Sequence, residues 1–173
     1  MTQDQHPKIA RTQAMVDRFG PLSLTMLNDT GLSPVWRLNF LANFFTATVY
    51  RELSERFDLS RPEFVILYCL RQQPGLLARD VAQVTGQPKN SISRAISDLV
   101  RKGVITRDTD PRDKRIKRLS LTDAGSDLLA RALPILLDRQ ATMHAALSEA
   151  EQAEFLRLLD KMIHAMPNWV PTD

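Results

Sequence analysis

The sequence of 173 residues has one cysteine, Cys69, and six glycines. A single cysteine excludes an intramolecular disulfide framework and the paired-cysteine zinc motifs, so we expect a reduced, cytoplasmic protein. The densest apolar run, Val65–Leu70, is far shorter than the roughly 20 residues that cross a bilayer. The opening residues MTQDQHPK lack the apolar stretch of a secretory signal. We therefore expect no membrane partner.

The common catalytic patterns are missing as well. We find no nucleophile with a base nearby in the sequence, no glycine-rich loop to cradle a phosphate, and no metal-ligand spacing among His6, His144 and His164. We expect neither an enzyme nor a metal or cofactor. The apolar share of 43% and the charged share of 25% are those of a globular protein that buries a core.

The charge is unevenly distributed along the chain. The net charge is only +3, yet the segment from Gly86 to Arg118 holds ten Lys and Arg against four Asp, a local charge of +6. A basic stretch on an otherwise mildly acidic chain favours a polyanionic partner, although a solvated charged face would have the same composition.

The first part of the chain, residues 1–33, is predicted to be an extension with little core of its own. A short helix over Ile9–Phe19 would end at Gly20-Pro21, and Asn28–Gly31 is a turn cluster. Ser33-Pro34 is typical of a helix start. The helix that follows, Val35–Phe57, has apolar residues on two sides, so it must be covered on two sides, plausibly by another subunit.

The middle of the chain is predicted to form three short helices and a β-hairpin. The predicted elements are a helix from the Ser60–Glu63 capping box to Leu70, helices Arg79–Thr85 and Pro88–Lys102, and strands Val104–Asp108 and Ile116–Leu121. A tight turn at Gly86 joins the second and third helices, which is a helix-turn-helix pattern. With the polar hairpin loop Thr109–Arg115, the outline is a winged helix, in a fold that is mainly α with a small β-hairpin wing.

Two helices are predicted to complete the chain. Thr122 caps a long helix to about Ala146, which Pro134 is expected to bend or interrupt. The Ser148–Glu151 capping box opens the last helix, which has one apolar face.

The helix Pro88–Lys102 has the pattern of a DNA recognition helix. Its apolar face is predicted to be buried and consists of Ile92, Ala95, Ile96, Leu99 and Val100. The residues expected to contact DNA are Lys89, Asn90, Ser91, Ser93 and Arg94. Serine hydroxyls and a helix N-terminus bind phosphate, and Arg94 can reach a guanine edge with two hydrogen bonds.

The hairpin loop supplies a second cationic element. Arg112, Lys114 and Arg115 lie at its tip, where long cationic side chains reach into a minor groove or along a phosphate backbone. Asp113 has the wrong charge for a polyanion, but its carboxylate would orient Arg115 through a charge-assisted hydrogen bond.

Residues Leu59 to Gly125 resemble a MarR-family transcriptional regulator. The stretches that carry the resemblance are Leu59-Ser60 with Glu63-Phe64, KNSISR at 89–94, LVRKG at 99–103, DKR at 113–115 and LTDAG at 121–125. The resemblance implies a homodimer on a palindromic operator, usually acting as a repressor. It also implies that Ser91, Ser93 and Arg94 contact the major groove and that Arg115, supported by Asp113, contacts the minor groove.

The resemblance further implies a domain organisation and an effector. Dimerisation helices over residues 34–58 and 122–167 would intertwine with a winged helix-turn-helix over 59–121 into one domain, with residues 1–33 as an extension. Many members release DNA when a small aromatic or phenolic acid binds. The aromatic residues Trp36, Phe40 and Phe44, with Arg37 and Asn43 beside them, would suit an aromatic or heteroaromatic acid, or would form dimer core instead.

Two alternatives to a ligand-responsive DNA-binding regulator remain at this point. A winged helix also serves as a protein-interaction module. Cys69 would be a redox-sensing thiol in a regulator of oxidant response, but it sits in the most apolar helix, where a cysteine is more often an inert small hydrophobe.

Overall fold

The computed structural model describes residues 5–28, 31 and 33–171. It contains helices α1 (Gln5–Phe19), α2 (Pro21–Asn28), α3 (Ser33–Phe57), α4 (Arg61–Gln72), α5 (Ala78–Thr85), α6 (Lys89–Arg101), α7 (Asp123–His144) and α8 (Glu149–His164), strands β1 (Ile105–Thr109) and β2 (Lys117–Leu121), and a 3-10 turn, Met166–Asn168. The predicted fold class is confirmed. None of the described helices is long and apolar enough to cross a membrane.

The chain divides into two compact units, one up to Thr48 and the other from Val49. The first unit contains a helix, α2, that the sequence analysis did not predict. Gly20, with φ of +79°, ends α1 as expected, but Pro21 then starts a new helix, because a proline is well suited to the first helical position. Asp29 and Thr30 of the predicted turn cluster lie outside the described residues.

The core of the second unit lies between the short helices, the hairpin and α7. Its fully buried large side chains are Val49, Leu53, Leu59, Ile66, Leu67, Leu70, Val81, Ile92, Leu99, Leu119 and Leu129. The predicted buried face of α6 is confirmed at four positions but not at Val100, which is 40% exposed. At 100° per residue, Val100 lies roughly 90° from the centre of that face.

The hairpin pairs Ile105 with Leu121 and Arg107 with Leu119 in antiparallel register. An isolated bridge between Leu76 and Leu119 places the segment before α5 beside β2, which the sequence did not indicate. Ile116 lies in the turn before β2. This explains why apolar residues in the predicted strand Ile116–Leu121 alternate imperfectly.

Helix α7 begins at the predicted cap and is fixed to the hairpin. The Thr122 hydroxyl accepts the Gly125 N–H at 3.1 Å and donates to the Gly103 carbonyl at 2.9 Å. Pro134, which is expected to bend or interrupt this helix, does not interrupt it, because the helix continues through Pro134 to His144.

Candidate nucleic-acid interface

A tight turn joins α5 to α6. Gly86 ends α5 in the left-handed conformation, with φ of +63°, which a residue without Cβ adopts at little cost. The Pro88 carbonyl then accepts the N–H groups of Ser91 and Ile92 at 3.0 and 3.2 Å, which starts α6. Ile92 is fully buried, so the opposite edge of the helix faces outward.

The outward edge of α6 carries the predicted contact residues. Lys89, Asn90, Ser93 and Arg94 are exposed, and Ser91 is half-buried. Asn90, Ser91 and Arg94 line a shallow cleft together with Ser60, which precedes α4. The structure therefore brings three of the five predicted residues, Asn90, Ser91 and Arg94, together in one cleft, while Lys89 and Ser93 are exposed elsewhere on the same helix.

A second cleft joins α6 to the hairpin. Ser93 and Ser97 line it from α6, and Arg107 and Lys117 line it from β1 and β2. The sequence analysis missed three of these residues, Ser97, Arg107 and Lys117. Arg107 and Lys117 were predictable from the alternation of side chains along the strands, because they share a face with the buried residues Ile105 and Leu119.

The loop tip holds Arg115 in the way that the sequence suggested. The Asp113 carboxylate accepts the Arg115 backbone N–H at 2.9 Å and lies 3.3 Å from Nε and 3.4 Å from Nη2. The Arg115 side chain is 92% exposed. The guanidinium is thus both oriented by a carboxylate and open to a partner.

The base of the loop is fixed by a carboxylate that the sequence analysis overlooked. Asp110 is buried, accepts the Arg112 N–H at 2.8 Å and pairs with Arg118 Nε at 2.6 Å. These hydrogen bonds, first that from Arg112 and then that from Arg118, lower the pKa of Asp110 below its ordinary value. Arg118 Nη1 also donates to the Gly75 carbonyl at 3.3 Å, which connects the wing to the α4–α5 loop.

Some cations of the basic segment bind groups within the protein, and the others are presented on the surface. Lys102 and Arg118 bind carboxylates and carbonyls within the protein, and Arg101 pairs with Asp98 on its own helix. The cations presented on α6 and the hairpin are Lys89, Arg94, Arg107, Arg112, Lys114, Arg115 and Lys117, all of them exposed.

The predicted effector residues lie on α3, within the first unit. Phe40 and Phe44 pack against each other at 4.7 Å between ring centroids, and Phe19 of α1 packs on both at 5.2 and 4.7 Å. Trp36 and Phe44 remain 39% and 45% exposed.

The polar members of the predicted effector site lie beside these rings in the sequence. Arg37 Nη2 lies 3.5 Å from Asn28 Oδ1, and Asn43 is exposed. Phe19 was missed, because nothing in the sequence indicates which part of the extension packs on α3.

The structure gives little support to a redox or metal site. Cys69 is half-buried, and burial raises the pKa of its thiol, which lowers the thiolate fraction that oxidants attack. Among the described residues, no group of three His, Cys, Asp or Glu side chains is placed to hold a metal ion.

Sequence comparison places this surface within a known family profile. The profile of the MarR family matches residues 57–116, which span α4, α5, α6, β1 and the loop that leads to β2. The HTH-type transcriptional repressor Mb2911 of Mycobacterium bovis is 34% identical over 107 residues, which cover 60% of this chain and 75% of that protein.

Solved structures share the fold over most of the chain. S. aureus MepR, in a crystal structure of its DNA complex, matches with a TM-score of 0.68 and 24% identity, over 80% of this chain and 99% of MepR. PcaV from Streptomyces coelicolor, crystallised with its natural ligand, matches with a TM-score of 0.63 and 26% identity, over 80% of this chain and 95% of PcaV.

Proposed function

This chain belongs to the MarR family of transcriptional regulators, and from that membership we propose that it is a homodimer that represses genes by binding a palindromic operator. At the level of the family, it is a DNA-binding transcriptional regulator. Proteins of this family are regulators rather than enzymes, in agreement with the expectation from the sequence.

The observation that carries the proposal is the pairing of a polar helix edge with a cationic loop. In each half-site, α6 enters the major groove, and the residues that contact DNA there are Lys89, Asn90, Ser91, Ser93 and Arg94. The wing reaches the adjacent minor groove with Arg112, Lys114 and Arg115, and Asp113 holds Arg115 in place. Arg107 and Lys117, beside α6, add phosphate contacts.

The exposed apolar residues support the homodimer. On α3, Val35, Leu38 and Leu41 are 56%, 39% and 51% exposed, and on α8, Leu156 and Ile163 are 53% and 55% exposed. A monomer rarely leaves so many large apolar side chains in water. A second copy covers them and places two recognition helices about one helical turn apart, roughly 34 Å.

Arg94→Ala and Arg115→Ala test the interface. The operator is selected from a random duplex pool with the wild-type chain, and binding is followed by fluorescence anisotropy. Both changes should weaken binding without changing the oligomeric state. Loss of Arg94 should also reduce discrimination at one base pair by about 1–3 kcal/mol.

The control for this test is Arg139→Ala, which removes an exposed arginine of α7 and should leave binding unchanged. Binding of the wild type should weaken steeply as salt rises, because phosphate contacts release counterions. An affinity independent of salt, or full affinity in both interface variants, would contradict the proposed interface.

The proposed effector is a small aromatic or heteroaromatic acid. Trp36, Phe40 and Phe44 offer an apolar surface for a ring, and Arg37 and Asn43 offer donors for a carboxylate. PcaV, a regulator that shares this fold, was crystallised in complex with its natural ligand. A thermal-shift panel of benzoate and nicotinate derivatives tests this proposal, because a ligand of the native state raises the melting temperature. If no compound in the panel both raises the melting temperature and releases the operator, the aromatic residues of α3 form dimer core instead.

A further inference from the structure

Lys102 follows the last residue of α6, and its ammonium group is used inside the protein. Nζ donates to Glu63 Oε1 at 2.9 Å, lies 3.0 Å from Asp58 Oδ2, and also donates to the Asp58 carbonyl. The side chain of Lys102 is 29% exposed and that of Glu63 is 6% exposed. Lys102 thus joins the buried carboxylate of Glu63 to Asp58, whose side chain is 91% exposed, in a small cluster.

Asp58 connects this cluster to the turn between α3 and α4. Its φ of +49° lies in the left-handed region, which is uncommon for a residue other than glycine. This conformation ends α3 and directs the next residue, Leu59, into the core, where it is fully buried. Lys102 binds both the carbonyl and the carboxylate of Asp58 and so stabilises the turn.

Glu63 connects the cluster to the start of α4. Its Oε2 accepts the Ser60 N–H at 2.8 Å and the Ser60 hydroxyl at 2.6 Å, and its Oε1 accepts from Lys102. A buried carboxylate needs a charge partner as well as hydrogen bonds. Glu63 therefore connects the cap of α4 directly to the end of α6.

We propose that Lys102 is a positioning residue for operator recognition, because it ties the C-terminal end of α6 to the α3–α4 turn and to the cap of α4. This inference rests on the proposed function. The apolar face of α6 fixes the depth of the helix in the core, whereas the Lys102 cluster fixes its direction. Since α6 has 13 residues and is roughly 20 Å long, a small tilt at its end displaces Arg94 from a base edge.

Positioning and direct phosphate contact have different signatures. A tilt of α6 harms base contacts, which need accurate geometry, and spares non-specific binding, which depends on charge alone. A lysine that touches phosphate contributes equally to every sequence and to the salt dependence. The two roles are therefore separable by comparing the selected operator with a scrambled duplex of equal length.

Lys102→Met keeps the length of the side chain and removes its charge. We expect its affinity for the operator to fall about tenfold, within the range that loss of one base contact costs. Its affinity for the scrambled duplex and the slope of log affinity against log salt should not change. The matched control, Lys89→Met, removes a lysine of the DNA-facing edge; it should weaken binding to both duplexes and reduce the slope by about one.

Glu63→Gln and the double variant Lys102→Met/Glu63→Gln complete the test. If the two residues act as one cluster, the operator preference of the double variant should be no lower than that of Lys102→Met alone. Lys102→Arg, which retains the charge, should restore most of the preference, and circular dichroism at the assay temperature verifies that each variant is folded.

Two results would overturn the role of Lys102. One is a folded Lys102→Met with full operator preference, and the other is an equal loss on both duplexes with a reduced salt slope. A wild-type chain that prefers no duplex would instead contradict the proposed function itself, and the positioning role with it.

Discussion

Single residues decide how the recognition elements are joined. Gly125 is buried in the first turn of α7, and a Cβ built there would lie 1.9 Å from the Val104 carbonyl oxygen. The helix thus approaches the start of the hairpin more closely than any other residue type permits. At the loop tip, Asp113 decides the direction of Arg115 by three contacts of 2.9–3.4 Å.

Gly125→Ala should destabilise the protein. The added methyl group meets a backbone oxygen that cannot rotate away, and overpacking of this kind costs about 1–3 kcal/mol. The measurement is the midpoint of urea unfolding at fixed protein concentration. Ser126→Ala, at the exposed neighbouring position, is the control and should have little effect. Equal midpoints for Gly125→Ala and the wild type would show that α7 moves away from the hairpin freely.

Asp113→Ala should weaken operator binding, although it removes a negative charge from the loop that we propose contacts DNA. The pair with Arg115 is exposed, so we expect a loss of only roughly 0.2–1 kcal/mol. Asp108→Ala, which removes another exposed carboxylate of the hairpin, should leave affinity unchanged or raise it. Tighter binding by Asp113→Ala, measured by anisotropy, would mean that Asp113 acts only through repulsion.

At the scale of elements, contacts at the base of the hairpin stabilise it in addition to the pairing of its two strands. The Asp110–Arg118 pair closes the loop, Arg118 binds the Gly75 carbonyl, and Leu76 bridges to Leu119. Two strands of five residues each are marginal on their own in water. These contacts supply the support that a rigid wing needs.

The contribution of Asp110 to stability should disappear in acid. Its pKa is lower in the folded protein than its ordinary value of 3.8. The stabilisation is therefore complete above that value and is lost as pH falls through the lower, folded pKa. Urea midpoints of wild type and Asp110→Asn should differ at pH 7 and converge as the pH falls below about 4. A difference that persists at the lowest pH would show that the effect does not come from the charge of Asp110.

At the scale of the whole molecule, the described apolar surface is concentrated outside the winged helix. Of the large apolar residues that are exposed, only Tyr68, Val84 and Val100 lie between α4 and the hairpin, whereas α3, α7, α8 and the residues that follow α8 hold most of the others. The winged helix, which we propose contacts DNA, is polar and cationic on its exposed surface, and the helices that flank it in the sequence are incompletely covered. This distribution supports the proposed homodimer.

Leu156→Glu combined with Ile163→Glu should shift the protein to the monomer. Both side chains are more than half exposed on α8, and burying two carboxylates at an apolar interface is strongly unfavourable. Sedimentation or light scattering measures the molar mass, and operator affinity should fall with it. Val84→Glu, on α5 and 71% exposed, should leave the mass unchanged. A wild-type monomer at micromolar concentration would contradict the proposed dimer.

The local features of this protein follow from short stretches of its sequence. The capping box at Ser60, the stop at Gly86, the cap at Thr122 and the face of α6 were all predictable, because caps, turns and helical periodicity act within a few residues. The hairpin and its basic loop were predictable for the same reason. Two of the errors, the missing α2 and the exposed Val100, arose where a local pattern was ambiguous about its end or its edge.

Contacts between distant segments determine which charged residues stabilise the fold and which face outward. Lys102 reaches Glu63, 39 residues away, and Arg118 reaches the carbonyl of Gly75, 43 residues away. The amino-acid composition does not distinguish Lys102 and Arg118, which are used within the fold, from Arg94 and Arg115, which face outward. The packing of Phe19 on Phe40 and Phe44 was likewise invisible in the sequence. Contacts between distant segments depend on how the helices pack and on strand register, and neither has a local signal.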